Sequence, residues 1–198
     1  MRLFMIRHGE TKANVEEYFY AEGEDLPLTH KGREQAESIR PVLEKFTFDR
    51  VYSSDYLRAI QTQQIVMPEA ECIRLPVLRE MDPGDLGGES YKVLYDETRF
   101  EDITAFGDER SYSVVNGESM EDVANRLRVF LKELEENPCD RVAAFVHNGV
   151  LVSMLRLVLG ADKFKRRAAS SANCAVHVFD FDGKMWKLRA WNYGAPLD

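Results

Sequence analysis

Long apolar runs are missing from this chain of 198 residues, and none approaches the roughly 20 residues of a membrane-spanning helix. The opening Met1-Arg2-Leu3-Phe4-Met5-Ile6 is too short an apolar stretch for a signal peptide, so a cytoplasmic protein with no membrane partner is expected. Cysteine is scarce as well. Cys72, Cys139 and Cys174 cannot all pair and have no metal-site spacing, which agrees with a reducing compartment. Basic excess is also lacking: 26 Lys and Arg stand against 34 Asp and Glu, a formal charge of −8. That balance, with a pI near 5.2, argues against nucleic acid as a partner, because binding a phosphate backbone needs a basic surface. Among His8, His30, His147 and His177 there is no H-x-x-x-H or carboxylate pattern of a metal site, so neither a metal nor another cofactor is expected.

What is present is the composition of a globular protein, 44% apolar and 30% charged. The length suits one domain with a substantial core, and no repeat, low-complexity tract or linker divides residues 1–198. Short apolar runs alternate with helical periodicity, which predicts an α/β sheet with helices on both faces. Ala36, Ile39, Leu43 and Phe46 recur at helical spacing within Lys31–Phe46, with Thr29 placed as the cap and Pro41 expected to kink or split the helix. Arg50–Ser53 reads as a strand leading into a helix over Tyr56–Val66, with Asp55 or Ser54 as its N-cap, and Cys72–Leu75 as another strand. From Glu80 to Asn116 periodicity is weak and Gly84, Gly87, Gly88 and Gly107 intervene, so loops and short helices are expected. Ser119-Met120-Glu121-Asp122 resembles a capping box with Asp for Glu, opening an amphipathic helix that faces inward through Val123, Leu127, Phe130 or Leu131, and Leu134. Val142–Val146 reads as a buried strand and Val150–Leu159 as an apolar helix. Ala175–Phe181 and Lys184–Trp191 flank the hairpin turn Asp182-Gly183.

Two histidines occupy matching places in this pattern. Arg7-His8-Gly9-Glu10-Thr11 follows directly on the apolar run Leu3-Phe4-Met5-Ile6, so a buried strand delivers an imidazole beside a guanidinium to a glycine turn. His147-Asn148-Gly149 follows Val142–Val146 in the same way. Ligands of open α/β sheets bind at the carboxyl ends of the strands. If the two strands are parallel neighbours, both imidazoles emerge at that edge. Histidine can act as a nucleophile, and arginine presents a planar fork of donors suited to phosphate oxygens.

Arg7-His8-Gly9-Glu10-Thr11, with Asn14 just beyond, resembles the signature of the histidine phosphatase superfamily, which includes the cofactor-dependent phosphoglycerate mutases. Further blocks are similar in order: Leu26-Pro27-Leu28-Thr29 with Gly32 and Gln35-Ala36, then Ser53 through Thr62, Leu78-Arg79-Glu80, Gly117-Glu118-Ser119, and His147. The resemblance implies a three-layer α/β/α fold of the phosphoglycerate mutase type with a mostly parallel central sheet. It implies that His8 is the nucleophile and forms a phosphohistidine. Its other ring nitrogen would be held by a hydrogen bond, most simply to a backbone carbonyl. It places Arg7, Arg58 and His147 around the non-bridging phosphate oxygens, with Asn14 as a further donor, and makes Glu80 the proton donor to the leaving group; Asn148, next to His147, is a further candidate for phosphate binding. Arg58 also stands in the first turn of a helix, whose amino end favours anions. Glu10 and Asp82 are weaker substitutes for the acid, and Glu10 suits a role in the loop.

Some positions depart from the family. Leu86-Gly87-Gly88 stands where many members carry aromatic-Glu-Gly, and Asn148 stands where a glycine is usual. The adjacent basic residues of true mutases are missing from the middle segment, which offers Lys92, Arg99 and Arg110; Arg166-Arg167 lies elsewhere. The expectation is a metal-independent phosphatase acting on a small phosphorylated metabolite, with residues 81–116 as an irregular cap on the substrate side. A phosphoglycerate mutase and a non-catalytic phosphate-binding module are the alternatives. Substrate identity and oligomeric state, a homodimer included, stay open. Tyr91, Tyr95, Phe100, Phe106 and Tyr112 suit either an apolar pocket wall or core.

Overall fold

Along strand β1 (Arg2–Arg7) successive side chains serve two separate cores. Leu3 and Met5 pack with residues of helices α4 (Met120–Glu136) and α5 (Asn148–Leu159), such as Leu127, Leu134 and Leu151. Phe4 and Ile6 pack on the opposite face with Ala36, Ile39 and Leu43 of α2 (His30–Leu43) and Ala59 and Val66 of α3 (Leu57–Val66). Two helical layers therefore enclose one sheet, in a computed structural model that describes residues 1–95, 112–160 and 171–194. The remaining strands are β2 (Arg50–Ser53), β3 (Cys72–Arg74), β4 (Arg141–Val146), β5 (Val176–Phe181) and β6 (Trp186–Tyr193), and a short helix α1 spans Lys12–Glu16.

The strand order is β3-β2-β4-β1-β5-β6. Pairs β3·β2, β2·β4 and β4·β1 are parallel, whereas β5 runs antiparallel to both β1 and β6. The fold is thus α/β, with a mixed and mostly parallel sheet between two helical layers, as the resemblance implies. The pairing that matters most is β1 with β4, where Arg7 lies opposite Val146. Strands distant in sequence end at the same level, so the residues that follow them emerge side by side.

Local signals hold in some places and give way in others. Thr29 caps α2 as expected, its hydroxyl accepting the Gly32 N–H at 3.0 Å. Ser119 and Asp122 form the capping box of α4. Pro41 neither splits nor ends α2, which runs on to Leu43. It falls in the last turn, where the only helical acceptor it leaves unserved is the carbonyl of the exposed Glu37, open to water. The N-cap of α3 is Tyr56, not Asp55 or Ser54. Asp55 is taken by Arg79 through paired contacts of 2.7 and 2.6 Å, and the Leu57 N–H is capped from another loop by the Asp25 carboxylate at 2.9 Å. Helix α5 starts at Asn148, two residues earlier than its apolar pattern, and β6 starts at Trp186. Helix α1 was not legible, because its five residues are too few to show a period. No helix among the described residues is long and apolar enough to cross a membrane.

Candidate active site

The turn after β1 is pressed against the start of α2. A Cβ on Gly9 would run into the Gly32 carbonyl, and one on Gly32 into that of Glu10, so neither position has room for a side chain. Glu10 serves this loop, accepting the Thr29 hydroxyl at 2.9 Å and pairing with Lys31 at 3.3 Å. The Gly9 N–H donates to Thr62 Oγ1 at 3.0 Å, which ties the turn to α3. Within this frame His8 Nδ1 stands 2.7 Å from the Gly9 carbonyl oxygen. A carbonyl can only accept, so Nδ1 carries the proton and Nε2 keeps its lone pair. His8 is 2% exposed. Burial, with the Arg58 and Arg7 charges nearby, drives its pKa well below the ordinary 6.5, so the ring is neutral.

His147 follows β4 and reaches the same place, its ring centroid 5.1 Å from that of His8 and 5.5 Å from that of Tyr56. It is fully buried, and among the described residues neither ring nitrogen has a hydrogen-bond partner. Burial, Arg58 and His8 hold it neutral too, well below the ordinary value. Arg58 projects from the first turn of α3 and is 1% exposed. Its guanidinium carbon lies 3.9 Å from the Tyr20 ring centroid and 4.6 Å from that of Tyr56. Among the described residues Nε and Nη1 make no hydrogen bond, and a carboxylate oxygen of Asp25 is 3.8 Å from Nη1. Arg7 donates through Nη1 to the Ser171 carbonyl, while its Nε is buried without a hydrogen-bond partner among the described residues. Buried donors left unserved are costly, and these belong to cations on one cavity. Their chemistry fits an anion with several oxygens.

That cavity has a volume of about 590 Å³ and is lined by Arg7, His8, Asn14, Arg58, Glu80 and Asn148 among others. His147 is not among the lining residues; its buried ring stands beside that of His8. The Asn14 carbonyl oxygen accepts from Thr11 N at 3.2 Å and from Asn173 Nδ2 at 3.3 Å, which leaves its amide NH₂ for the cavity. Asn148 is the first residue of α5. Glu80 arrives on the segment after β3, with Oε1 accepting the N–H groups of Met81 at 2.9 Å and Gly149 at 2.8 Å. A Cβ at position 149 would collide with that oxygen. The glycine missing at position 148 is therefore present where the contact demands it. Among the described residues no group of three or more His, Cys, Asp or Glu side chains is arranged to hold a metal ion.

Several contributors escaped the sequence reading. Tyr56 and Thr62 lie within the stretch Ser53–Thr62, but nothing in that stretch distinguishes the ring that stacks on Arg58 or the hydroxyl that anchors Gly9. Arg126 of α4 donates to the Val77 carbonyl at 2.7 Å and the Glu80 carbonyl at 3.2 Å while pairing with Glu118 at 2.9 Å. It thereby ties the Gly117-Glu118-Ser119 block to the acid. Asn173 donates to the His8 carbonyl at 3.0 Å and had no signal in the sequence. Tyr91 and Tyr112 line the cavity. The side chain of Tyr95, along with Arg99, Phe100, Phe106, Gly107, Arg110 and Arg166-Arg167, lies outside the described residues; Lys92 is exposed and does not line the cavity. His30 is a surface residue, its side chain 88% exposed. His177 is buried beside Ser171, its Nε2 2.8 Å from the hydroxyl, and burial lowers its pKa to about 3.

Residues 3–194 match the family model of the histidine phosphatase superfamily, branch 1. The chain belongs to this superfamily. A relative named phosphoglycerate mutase-like protein 4, from Arabidopsis thaliana, is 31% identical over 206 aligned positions covering 99% of this chain and 86% of its own. A protein named probable phosphoglycerate mutase GpmB, from Enterobacter sp. (strain 638), is 27% identical over 96% of this chain and 90% of its own. Among solved structures, the alpha-ribazole phosphatase from Shigella flexneri superposes with a TM-score of 0.83 at 29% identity, covering 98% of each chain. A phosphoserine phosphatase variant from Entamoeba histolytica reaches 0.86 at 20% identity over 98% of each chain, which speaks for the fold alone. These names are phosphatases and mutases, and both classes transfer phosphoryl groups. This histidine phosphatase chain is accordingly placed among phosphoryl-transfer enzymes.

Proposed function

We propose that the protein is a phosphatase that hydrolyses a small phosphomonoester through a phosphohistidine on His8. The single observation that carries this reading is the pinned, neutral imidazole. With Nδ1 committed to the Gly9 carbonyl, Nε2 is the nitrogen free to attack. Arg58 and Arg7 would bind the non-bridging oxygens with the amides of Asn14 and Asn148, and His147, buried beside His8 just outside the cavity lining, would turn one ring N–H to the bound anion. A bound dianion would raise the proton affinity of His147 and strengthen its donation.

In the first step the Nε2–P bond forms as the ester P–O bond breaks, and Glu80 in its protonated form gives that proton to the leaving alkoxide. Since Oε1 already accepts from two backbone N–H groups, the proton sits on Oε2. In the second step water attacks phosphorus, Glu80 takes its proton, and the N–P bond breaks to restore neutral His8. Splitting the transfer in two is the gain from the covalent route. The arginines supply the charge neutralisation, so the scheme needs no metal. The substrate is a small phosphorylated metabolite, and the alpha-ribazole phosphatase above marks the kind of compound to try first.

Incubation with 3-phosphoglycerate, with and without the bisphosphorylated priming compound, tests the assignment. Release of inorganic phosphate from this or other monoesters in a phosphometabolite panel is expected. Interconversion of the phosphoglycerates without release would make the protein a mutase.

A further inference from the structure

The residues lining the cavity include a buried guanidinium and exposed carboxylates. Inside lie Nε and Nη1 of Arg58, a residue 1% exposed, which make no hydrogen bond among the described residues, with Asp25 3.8 Å from Nη1. Around the opening stand the carboxylates of Glu17, Glu22, Glu24 and Asp82, three of them exposed. Among the described residues none of these four forms an ion pair. Glu24 accepts the Tyr18 hydroxyl at 3.1 Å and the Ala21 N–H at 3.1 Å, and Asp82 accepts the Gly84 N–H at 2.9 Å. The guanidinium at this opening, Arg79, is bound by Asp55 through contacts of 2.7 and 2.6 Å. The rings of Phe19, Tyr91 and Tyr112 supply a further wall, with Phe19 edge-on to the others at 4.7 and 5.5 Å.

A phosphomonoester bound with its phosphate on Arg58 and His8 extends its alcohol toward this opening. Aromatic faces attract an organic cation, and unneutralised carboxylates add to that attraction. The same groups repel a second anion on the substrate. We infer that the outer part of the cavity selects phosphomonoesters whose alcohol carries a protonated amine, against those whose alcohol carries a carboxylate or another phosphate. This inference rests on the phosphatase reading above and narrows its substrate class.

A matched series tests it: 5-aminopentyl phosphate, hexyl phosphate and 5-carboxypentyl phosphate. The three have equal length, and their terminal groups are too remote to alter the ester's leaving ability. At low ionic strength kcat/KM for phosphate release is expected to fall in that order. The amine should exceed the acid by about tenfold, a ratio that shrinks in high salt because carboxylates at the opening act through solvent. In the Glu17→Gln, Glu22→Gln double variant the ratio should move toward one. Both side chains are exposed and neither is hydrogen-bonded within the described residues, so the fold should tolerate the change. Hydrolysis of all three with the acid equal to or ahead of the amine, or a ratio indifferent to the double variant, would overturn the inference and leave the phosphatase intact. Hydrolysis of none would overturn both.

Discussion

The ends of β1 and β4 deliver the same kind of residue to the same edge, yet the two histidines are treated differently. His8 has one ring nitrogen locked onto the Gly9 carbonyl, whereas among the described residues His147 has neither nitrogen engaged. A nucleophile must present a defined lone pair along one line of approach, and a fixed tautomer provides it. A group that only steadies charge needs a donor within reach of the phosphate, and the donor can be set when the anion arrives. Both rings are neutral in the free protein, so charge alone does not separate their roles. The hydrogen bond to the Gly9 carbonyl does.

Breaking this asymmetry should give unequal losses. His8→Ala is expected to reduce phosphate release by about 10⁴-fold or more, since no other group can take its place. His147→Ala should cost about 10²–10³-fold, the usual loss for one transition-state donor. Steady-state rates of the two variants check the ranking, and equal losses would dissolve the distinction. Next is Glu80→Gln, with a loss of about 10²–10⁴-fold on an alkyl phosphate. With p-nitrophenyl phosphate, whose leaving group departs without a proton, the loss in the first step should be far smaller. If Glu80→Gln lowered both activities equally, Glu80 would not be the group that protonates the leaving group.

Gly149→Ala probes the contact that aims the acid. Its Cβ would meet Glu80 Oε1, so a loss of roughly tenfold in kcat is expected, in line with the sensitivity of catalysis to small misplacements. Smallest at neutral pH is the effect of titration on stability. His8, His147 and His177 are held neutral below their ordinary pKa, so the unfolded chain binds more protons once the pH falls below about 6.5. Their stabilising contribution is full above that value and is lost as the pH falls toward the depressed folded values, about 3 for His177. Each group fully protonated only in the unfolded state steepens the loss by ~1.4 kcal/mol per pH unit, so His177→Gln should make denaturation midpoints less sensitive to acid.

Much of this was legible in the sequence because apolar strands and glycine turns leave local signatures. The alternation Leu3-Phe4-Met5-Ile6 already carries both cores, and the matching ends of β1 and β4 already suggested the paired imidazoles. What stayed hidden depends on contacts across long separations. Asp25 caps α3 from another loop, Asn173 reaches the His8 carbonyl from 165 positions away, and Arg126 secures the Glu80 backbone from α4. The acid itself was visible only through a resemblance, since a single carboxylate among 34 acidic residues has no local mark.

The central claim is that His8, and not His147, carries the phosphoryl group. Rapid mixing with a labelled phosphomonoester, quenching under alkaline conditions that preserve phosphohistidine, and peptide mapping would test it most directly. The account predicts label on the peptide containing His8, formed at a lower rate in His147→Ala and absent in His8→Ala. Label on the His147 peptide, or turnover with no labelled histidine at any time point, would contradict it.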